Sequence, residues 1–567
     1  MTNSIHRAQP QTLRQAANTF ILLAALLWQT AGLAQDGQVP QSPEPESTVP
    51  IPIPEVSTPV APMPEATGAS TTFSINGFDL TGEVDISTDE CTRILAPFIG
   101  PDATIETLQK ATAALEAAFK AKGLALHRVT LPPQEVGKNV TLNIVKFVIG
   151  KVTVEGNTLY SQANVRASVP ELKEGQAPNF STMAIQTAIA NENPSKQVQV
   201  SLKESDEADK IDVMVLVKEA KPWNFSASLA NTGSEATGQD RLSLVGGHAN
   251  VLDRDHQFSG AYTTSVERIN DVKQLGLNYR IPFYRQGGVM GLSYTSSDVV
   301  GNFGAFSSTG AGQTYGVNYN HYLAPDGGRR THLDIGLDEK QFNASLINGM
   351  PVPGQADRSS RPLTLGYNTR VESNTAVWGY NVDFAVNLPG SNGNDLAAYQ
   401  KEDARISNVN WKLLRGAANY LSSTESGWLW GVRGQFQYSP TALISGEQFG
   451  LGGVTSVRGT AERPISGDSG CFMSLELTTP DLEPGLKAMG FVDAGWLSSH
   501  DSYLNANKPS SDQLLSAGLG LRYALGACTI SVDWARLLAG SVLPFTPGSA
   551  IPQDGDQRFH VSLSVRF

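Results

Sequence analysis

Apolar and polar residues alternate along much of the chain after residue 220, and this alternation predicts β-strands. It is clearest in the last ten residues, 558–567. The odd positions are apolar and the even positions are polar, with Phe559, Val561, Leu563, Val565 and Phe567 on one face and Arg558, His560, Ser562, Ser564 and Arg566 on the other. Successive side chains of a strand point to opposite faces. One apolar and one polar face are typical of a membrane barrel with lipid outside and water inside.

Similar short segments precede this last strand. They are 224–230, 241–247, 256–264, 272–281, 289–296 and 313–322, and more follow up to the carboxyl terminus. Turn signals such as Asp326-Gly327-Gly328 and the Ser-Asn-Gly-Asn run at 391–394 lie between β-prone segments. At about ten residues a strand plus turns and loops, residues 221–567 can hold about sixteen strands. The pattern therefore predicts a transmembrane antiparallel β-barrel over 221–567.

Residues 71–220 show a different pattern, which predicts two small α+β domains at 71–148 and 149–220. In the first, Thr104 can cap a helix with apolar residues at helical spacing, and Gly123 ends it. In the first domain we also expect strands at 126–131 and 140–148. In the second domain we expect a strand at 151–157, helices at 161–169 and 180–191, and a hairpin of 198–202 with 211–217. The β-α-α-β-β order is clear in the second domain and partial in the first.

The amino terminus resembles a secretory signal peptide over residues 1–34. Arg7 and Arg14 precede an apolar run at 20–28, and small residues follow up to Ala34, the expected cleavage point. The run is too short to span a bilayer, which needs about twenty residues. Residues 35–70 are Pro-rich without periodicity, so we expect a disordered, extended linker without a helix.

Composition narrows the class of protein. The chain has 54 glycines and 40% hydrophobic residues, which fits a β-barrel, and a net charge of −12, which argues against nucleic-acid binding. From composition alone, a soluble acidic β protein is the alternative. The cysteines, Cys91, Cys471 and Cys528, have no metal-ligand spacing. Cys471 and Cys528 both fall in the barrel segment, and the sequence leaves open whether they form a disulfide.

No enzymatic motif is apparent, so we expect no catalytic, cofactor-binding or metal site. The eight histidines are scattered, and neither a G-x-S-x-G turn nor a Walker loop occurs. The strongest catalytic alternative is a hydrolase that uses Asp253, Asp255 or His256 in the segment VLDRDHQF. We interpret these residues instead as solvated charges of a turn between two strands.

A lone arginine and a strand aspartate form the candidate functional pair. Residues 450–460 read GLGGVTSVRGT with Arg458 near the end, and residues 491–496 read FVDAGW with Asp493. Alternation places Asp493 on the polar, inner face of its strand. An unpaired buried guanidinium is expensive, so a carboxylate on the wall would fix the loop. Glu462 and Asp468 are the competing partners for Arg458.

These segments resemble the transporter half of two-partner secretion systems, the haemolysin or haemagglutinin secretion and activation proteins of Gram-negative outer membranes. The family's VRG motif lies at the tip of an extracellular loop folded back into the barrel, about 446–469 here, and its F-x-D-x-G motif lies on the inner wall. The matching residues are Val457, Arg458 and Gly459 for the loop and Phe491, Asp493 and Gly495 for the wall. Thr460 stands where the family usually has an aromatic residue. Phe567 matches the family's carboxyl-terminal barrel signal.

The two α+β domains look like tandem POTRA domains, the periplasmic modules of the same family. LPPQEV at 131–136 resembles the P-x-Q element of the first POTRA domain, and VEGN at 154–157 resembles the start of the second. Many family members carry a plug helix before the first POTRA domain, but residues 35–70 show no helical pattern.

The resemblance implies an outer-membrane pore whose POTRA domains capture one large exoprotein, of the adhesin or haemolysin type, and secrete it unfolded. The implied partners are this cargo, outer-membrane lipid and the barrel assembly machinery, with no nucleic acid. Whether the cargo is activated during export stays open. The alternatives are a factor that inserts other barrels into the membrane and a passive porin.

Overall fold

The structure is a computed structural model that describes most of the chain after residue 71. The described residues are 72–134, 139–234, 237–299, 301–303, 305–308, 310–344, 346–347, 350–351, 357–390, 393–545 and 549–567. The predicted signal peptide, 1–34, and the Pro-rich linker, 35–70, lie outside them. No helix among these residues is both long and apolar enough to cross a membrane.

The first α+β domain contains two helices packed on a three-stranded sheet. Its elements are β1 Phe73–Ile75, β2 Gly77–Gly82, α1 Thr88–Leu95, β3 Gly100–Ala103, α2 Ile105–Ala121, β4 His127–Thr130 and β5 Asn139–Lys146. β5 is central, parallel to β2 and antiparallel to β4, while β1 pairs with β3. Helix α2 begins as predicted, because the Thr104 side chain accepts a hydrogen bond from the Thr107 N–H.

Helix α1 and strands β2 and β3 were absent from the sequence prediction. Only Cys91 and Leu95 of α1 are buried, which is too few apolar positions to give a helical period. With α1 in place, the first domain has the complete β-α-α-β-β order that the second domain also has.

The second α+β domain repeats this arrangement. Its elements are β6 Val148–Glu155, α3 Gln162–Ser168, α4 Phe180–Ala190, β7 Lys196–Glu204 and β8 Lys210–Glu219. β8 is central, parallel to β6 and antiparallel to β7. Ser161 and Asn179 cap the two helices with their side chains. The alternating valines of β7 and β8 are buried in the core, as the periodicity predicts.

The rest of the described chain forms a closed antiparallel barrel of sixteen strands. They are β9 Trp223–Ala230, β10 Arg241–Val251, β11 His256–Thr264, β12 Lys273–Phe283, β13 Gly288–Ser297, β14 Gly312–Tyr322, β15 Arg329–Phe342, β16 Arg358–Ser360 with Pro362–Glu372, β17 Ala376–Asn387, β18 Lys412–Ser423, β19 Leu429–Tyr438, β20 Ser469–Thr478, β21 Leu486–Ser498, β22 Ser511–Leu525, β23 Cys528–Ala539 and β24 Gln557–Arg566. Each strand pairs with its neighbours in the chain, and β24 pairs with β9 to close the ring.

The last strand has the predicted sidedness. Phe559, Val561 and Leu563 on its outer face are exposed, whereas His560 on its inner face is buried. A closed ladder satisfies the backbone hydrogen bonds of every strand, which is what a bilayer demands of a spanning structure. The prediction of a membrane barrel of about sixteen strands is therefore confirmed.

The two ends of the barrel differ. The near end, which carries the α+β domains, has mostly short turns between strands. The far end has long connections, including 388–411 with helix α5, Leu396–Glu402, and 439–468. Cys471 and Cys528 are free, because they lie on β20 and β23 with two strands between them, so the disulfide left open by the sequence is not formed.

Candidate functional site

The connection 439–468 between β19 and β20 folds back into the barrel. Phe449–Leu451 pairs with Ile465–Gly467 in a short antiparallel ladder, which holds the two arms of the loop side by side. Beyond it, Gly452 and Gly453 have φ angles of 105° and 99°, which other residues rarely adopt. These glycines let the chain turn sharply and leave a compact tip around Arg458.

Arg458 binds Asp493 on β21 through two parallel hydrogen bonds. Its Nε lies 2.8 Å from Asp493 Oδ2, and its Nη2 lies 2.8 Å from Asp493 Oδ1. The backbone N–H of Arg458 also donates to Oδ2, at 3.1 Å. The side chains of Arg458 and Asp493 are only 2% and 0% exposed. Bidentate, charge-assisted bonds of this kind are strong and geometrically specific.

Three more wall residues complete the surroundings of the guanidinium. Arg458 Nη2 donates to Ser474 Oγ at 3.1 Å and lies 2.8 Å from Glu476 Oε1, both on β20. Ser474 Oγ donates in turn to Asp493 Oδ1, at 2.6 Å. The guanidinium carbon lies 3.4 Å from the centre of the Phe491 ring, a cation–π distance. Sequence reasoning missed Ser474 and Glu476, although both are polar residues that alternate with the apolar residues Met473, Leu475 and Leu477.

Further charges on the wall balance this cluster. Asp533 Oδ2 lies 3.9 Å from Arg458 Nη1, and Asp533 itself binds Arg522 through two bonds of 2.6 and 2.8 Å. Arg433 lies 3.7 Å from Glu476. The lumen therefore carries alternating arginines and carboxylates from β19 to β23. Arg458 is the member of this row that comes from the loop.

Neither competing carboxylate contacts Arg458. Glu462 accepts a hydrogen bond from the Val454 N–H at 2.9 Å, within the loop itself. Asp468 pairs with Arg405 at 2.8 Å and accepts hydrogen bonds from the backbone N–H groups of Leu443 and His500. The structure thus places Arg458 on Asp493, the partner that the sequence favoured.

The other motif residues make the close contact between loop and wall possible. Val457 is fully buried among loop and wall residues. Gly459, at φ 95°, donates its N–H to His560 Nε2 on β24 at 3.0 Å. A side chain at Gly495 would place its Cβ 2.6 Å from the loop residue Leu451. Thr460, in place of an aromatic residue, accepts a hydrogen bond from the Gly453 N–H at 2.9 Å and so braces the tip internally.

A second ionic cluster holds the base of the same loop at the far end. Arg405, from the connection 388–411, contacts Asp468 at 2.8 Å and Asp403 at 2.9 Å, with its own side chain fully buried. It also donates to the carbonyl of His500, at 2.8 Å. Sequence reasoning missed this cluster because its members lie in loops without periodicity.

Glu447, near the start of the loop, is a fully buried carboxylate. It contacts Lys340 at 3.0 Å and Arg415 at 3.1 Å, and it accepts a hydrogen bond from Ser360 Oγ at 2.9 Å. Burial alone would raise the pKa of Glu447, but the charges of Lys340 and Arg415 outweigh burial and hold the pKa below its usual value. Within the described ranges, no group of His, Cys, Asp and Glu side chains is placed to hold a metal ion.

Two family profiles match the chain. The profile of the haemolysin secretion/activation protein ShlB/FhaC/HecB matches residues 209–523, which is more than half of the 567 residues. The chain belongs to the haemolysin secretion/activation protein family. The profile of the ShlB-type POTRA domain matches residues 73–146, the first α+β domain. The architecture is therefore two POTRA domains followed by a sixteen-strand barrel.

Individual relatives are distant but extend over most of the chain. The outer membrane transporter CdiB of Escherichia coli is 24% identical over 487 residues, covering 82% of this chain and 79% of CdiB. The heme/hemopexin transporter protein HuxB of Haemophilus influenzae is 21% identical over 481 residues, covering 81% of this chain and 82% of HuxB. The solved structure of CdiB from Escherichia coli superposes with a TM-score of 0.71 at 20% identity, covering 90% of this chain and 93% of that chain. That likeness establishes the shared fold.

Proposed function

We propose that this family member is the outer-membrane pore of a two-partner secretion system, which exports a large exoprotein unfolded through its barrel. The observation that carries the proposal is the buried loop tip, with Arg458 bound to Asp493 inside a closed barrel that follows two POTRA domains. The barrel lies in the outer membrane, and the near end with its POTRA domains faces the periplasm. The far end with its long connections faces the outside.

The POTRA domains present surfaces suited to an extended peptide. The first sheet has β2 and β4 as its edges, and the second has β6 and β7. Addition of a strand to such an edge supplies main-chain hydrogen bonds, and neighbouring side-chain pockets supply selectivity. We infer that the cargo, an exoprotein of the adhesin or haemolysin type, is recognised in this way. The sequence has no nucleotide-binding motif, so folding of the cargo outside the cell supplies the free energy and prevents backsliding.

The ion pair of Arg458 and Asp493 acts as a latch in this proposal. It holds the loop tip against the strands in one arrangement, and the loop then shapes the channel that the cargo follows. Glycines at 459 and 495 allow the close approach, and Val457 and Phe491 exclude water around the charges. The same proposal assigns residues 71–148 and 149–220 to the two POTRA domains and 221–567 to the barrel.

The carboxyl terminus has a place in assembly. Phe567 is exposed at the near end, and its N–H donates to the carbonyl of Phe225 on β9 at 2.9 Å, next to the closing pair of strands. We infer that the barrel assembly machinery recognises this terminal strand and inserts the barrel into outer-membrane lipid.

Deletion of the first POTRA domain tests the proposal. Cells would produce the chain together with a candidate large exoprotein of the adhesin or haemolysin type, and immunoblots would measure this cargo in the medium. Deletion of residues 73–146 should abolish cargo export while the barrel remains heat-modifiable in the outer membrane. Undiminished export would refute recognition by this domain. A general loss of other outer-membrane barrels would favour the assembly-factor alternative.

A further inference from the structure

The second POTRA domain meets the barrel through a buried ion pair. Lys196, the first residue of β7, places its Nζ 2.5 Å from Asp255 Oδ2, and the two side chains are 0% and 2% exposed. Asp255 belongs to the near-end turn between β10 and β11. The interpretation of this turn's charges as solvated is therefore wrong for Asp255, because the POTRA domain covers it. The sequence around Asp255 could not indicate this burial, because the residues that bury it lie at 160–196 of the POTRA domain.

The turn holds Asp255 in an unusual backbone conformation. Leu252, Asp253 and Asp255 have φ angles of 57°, 54° and 59°, and these are three of the six non-glycine residues with positive φ among the described residues. The Asn250 side chain fixes the turn, since it accepts from the Asp255 N–H at 3.0 Å and donates to Asp253 at 2.9 Å. Such strain persists only where surrounding contacts enforce it, and it is common at functional positions.

Polar contacts from both sides surround the pair. On the barrel side, Tyr284 donates its hydroxyl to Asp255 Oδ2 at 2.7 Å. On the POTRA side, Lys196 donates to Asn164 Oδ1 at 2.8 Å and lies 5.1 Å from the centre of the Tyr160 ring. Burial lowers the pKa of Lys196, and the charge of Asp255 opposes that effect. The lysine therefore depends on the barrel carboxylate to keep its charge in a desolvated position.

A second contact lies on the same arc of the rim. Glu192, shortly after α4, contacts Arg280 on β12 and accepts from the Tyr322 hydroxyl of β14, at 2.8 and 2.7 Å. Ile189 of α4 packs against Val289 of β13 beside them. The POTRA domain thus rests on the part of the rim formed by β10 to β14.

The covalent connection cannot set the domain's orientation by itself. Strand β8 ends at Glu219 and β9 begins at Trp223, so residues 220–222 join the two units. A tether this short limits how far the domain can move but leaves rotation about the backbone possible. The orientation must therefore come from the contacts on the rim, of which Lys196 with Asp255 is the most deeply buried.

We propose that Lys196 and Asp255 are positioning residues, which hold the second POTRA domain on the β10–β14 side of the rim in the orientation from which cargo enters the pore. This inference rests on the proposed function. Breaking the pair leaves one uncompensated buried charge, which is far costlier than losing a solvated pair. The domain would then leave the rim to rehydrate that charge, and the edge strand β7 that starts at Lys196 would no longer be fixed at the pore mouth.

The first test measures docking without reference to secretion. Spin labels at Lys173 of the POTRA domain and Glu425 of a near-end turn, both exposed, would be placed in a background without the native cysteines. Double electron–electron resonance should give one narrow distance for the parent protein and a broad distribution for Asp255→Asn. Arg254→Gln, an exposed position of the same turn, is the matched control and should keep the narrow distance. A narrow distance in Asp255→Asn would overturn the proposal.

The second test links docking to export. Asp255→Asn should lower cargo secretion at least about tenfold with normal heat-modifiability, since truncating a buried charge pair is strongly unfavourable. If Asp255→Asn fails to assemble, Lys196→Met, which fills the space without a charge, takes its place. A parent chain that exports no cargo would refute the proposed function, while the distance measurement would still decide the docking inference.

A double variant separates a specific pair from general destabilisation. In Lys196→Met with Asp255→Asn, neither charge is left uncompensated in the interface, and removing both partners of a buried pair costs less than removing one. The double variant should therefore be no worse than Asp255→Asn in the distance distribution or in secretion, because coupled residues are not additive. Defects of the two single variants that simply add in the double variant would overturn the proposal.

Discussion

The loop 439–468 is anchored at two sites. Each site is a buried pair of an arginine and an aspartate, but the partners lie on barrel strands at one site and in connections at the other. At the tip site, Arg458 binds Asp493, and every wall partner stands on a barrel strand. At the base site, Arg405 binds Asp468, and both residues lie in connections between strands. Strand partners keep their positions through the closed hydrogen-bond ladder whether or not the loop is present. Loop partners keep theirs only through mutual packing.

This difference assigns different consequences to the two sites. Loss of the tip contact should free the loop inside the lumen and leave the barrel intact, so the effect should fall on transport. Loss of the base contact should loosen the connections 388–411 and 439–468 together. Their shared apolar core, which includes Tyr399, Trp411 and Leu443, depends on both connections. The base site is therefore expected to govern order at the far end.

The largest effect is expected at the tip. Arg458→Ala removes the guanidinium and leaves the buried Asp493 without its ion-pair partner. For a buried pair such a change costs about 3–5 kcal/mol locally. We expect normal insertion, measured by heat-modifiable migration, and strongly reduced cargo secretion. Asp493→Ala should give a similar defect, and the double variant should be no worse than either single one, because coupled residues are not additive.

Arg370→Ala provides the matched control for the tip site. Arg370 is another barrel-strand arginine, and its side chain is 46% exposed beside Glu372. Exposed pairs contribute little, about 0–1 kcal/mol, so secretion should stay at the level of the parent. Defects of Arg458→Ala and Asp493→Ala that simply add would show that the two residues are not functional partners.

The base site should respond through order at the far end. In Arg405→Met, Asp468 loses its partner, and we expect protease cleavage within both 388–411 and 439–468 to become about tenfold faster on intact cells, since a broken buried pair is strongly destabilising. Lys401→Met, a charged residue of the same connection that is exposed, is the control. Faster cleavage in only one of the two connections would contradict their coupling through this site.

The contrast between the sites also explains what the sequence could predict. Strand alternation placed Phe491 and Asp493 on the inner wall and identified the barrel, because side-chain direction in a strand follows a fixed period of two. The same period underlies Ser474 and Glu476, but their partner could be recognised only with the loop in place. The sequence showed no sign of the roles of Arg405 and Lys196, because each binds a residue that is distant in sequence. Their partners, Asp468 and Asp255, lie in connections between strands, where no periodicity indicates which way a side chain points.

An effect of intermediate size is expected when a side chain is added to the wall beneath the ladder of the loop. In Gly495→Ala, the new Cβ would meet Leu451, and overpacking of this kind costs about 1–3 kcal/mol. We expect secretion to fall severalfold, and Leu451→Ala in the same chain should restore it by making room. Gly490→Ala on the same strand is the control, since a Cβ there would have its nearest neighbour at 3.9 Å. Failure of Leu451→Ala to restore secretion would show that the contact of Leu451 with Gly495 does not determine how the loop packs on the wall.

The smallest effect is expected from the charge balance of the base site. Lys508, in the connection 499–510, donates to Gln448 Oε1 at 2.7 Å and to the Ser466 carbonyl at 3.0 Å. Burial and the charges of Arg463 and Arg405 lower the pKa of Lys508 to about 8. A lysine in an unfolded chain titrates at about 10.4. Between about pH 8 and 10.4, the connection 499–510 therefore binds more protons when it is released than when Lys508 is docked. Docking should therefore strengthen as the pH rises through that window and stay constant below it.

Protection of 499–510 from proteolysis in purified barrels between pH 7 and 10 measures this dependence. Protection should increase modestly above pH 8 in the parent, and Lys508→Met should remove the increase, because a neutral side chain has no proton to release. No such rise is expected from the tip site, where Arg458 keeps its proton throughout this range. An unchanged pH profile in Lys508→Met would mean that a group other than Lys508 titrates, and the pH dependence would then not distinguish the base site from the tip site.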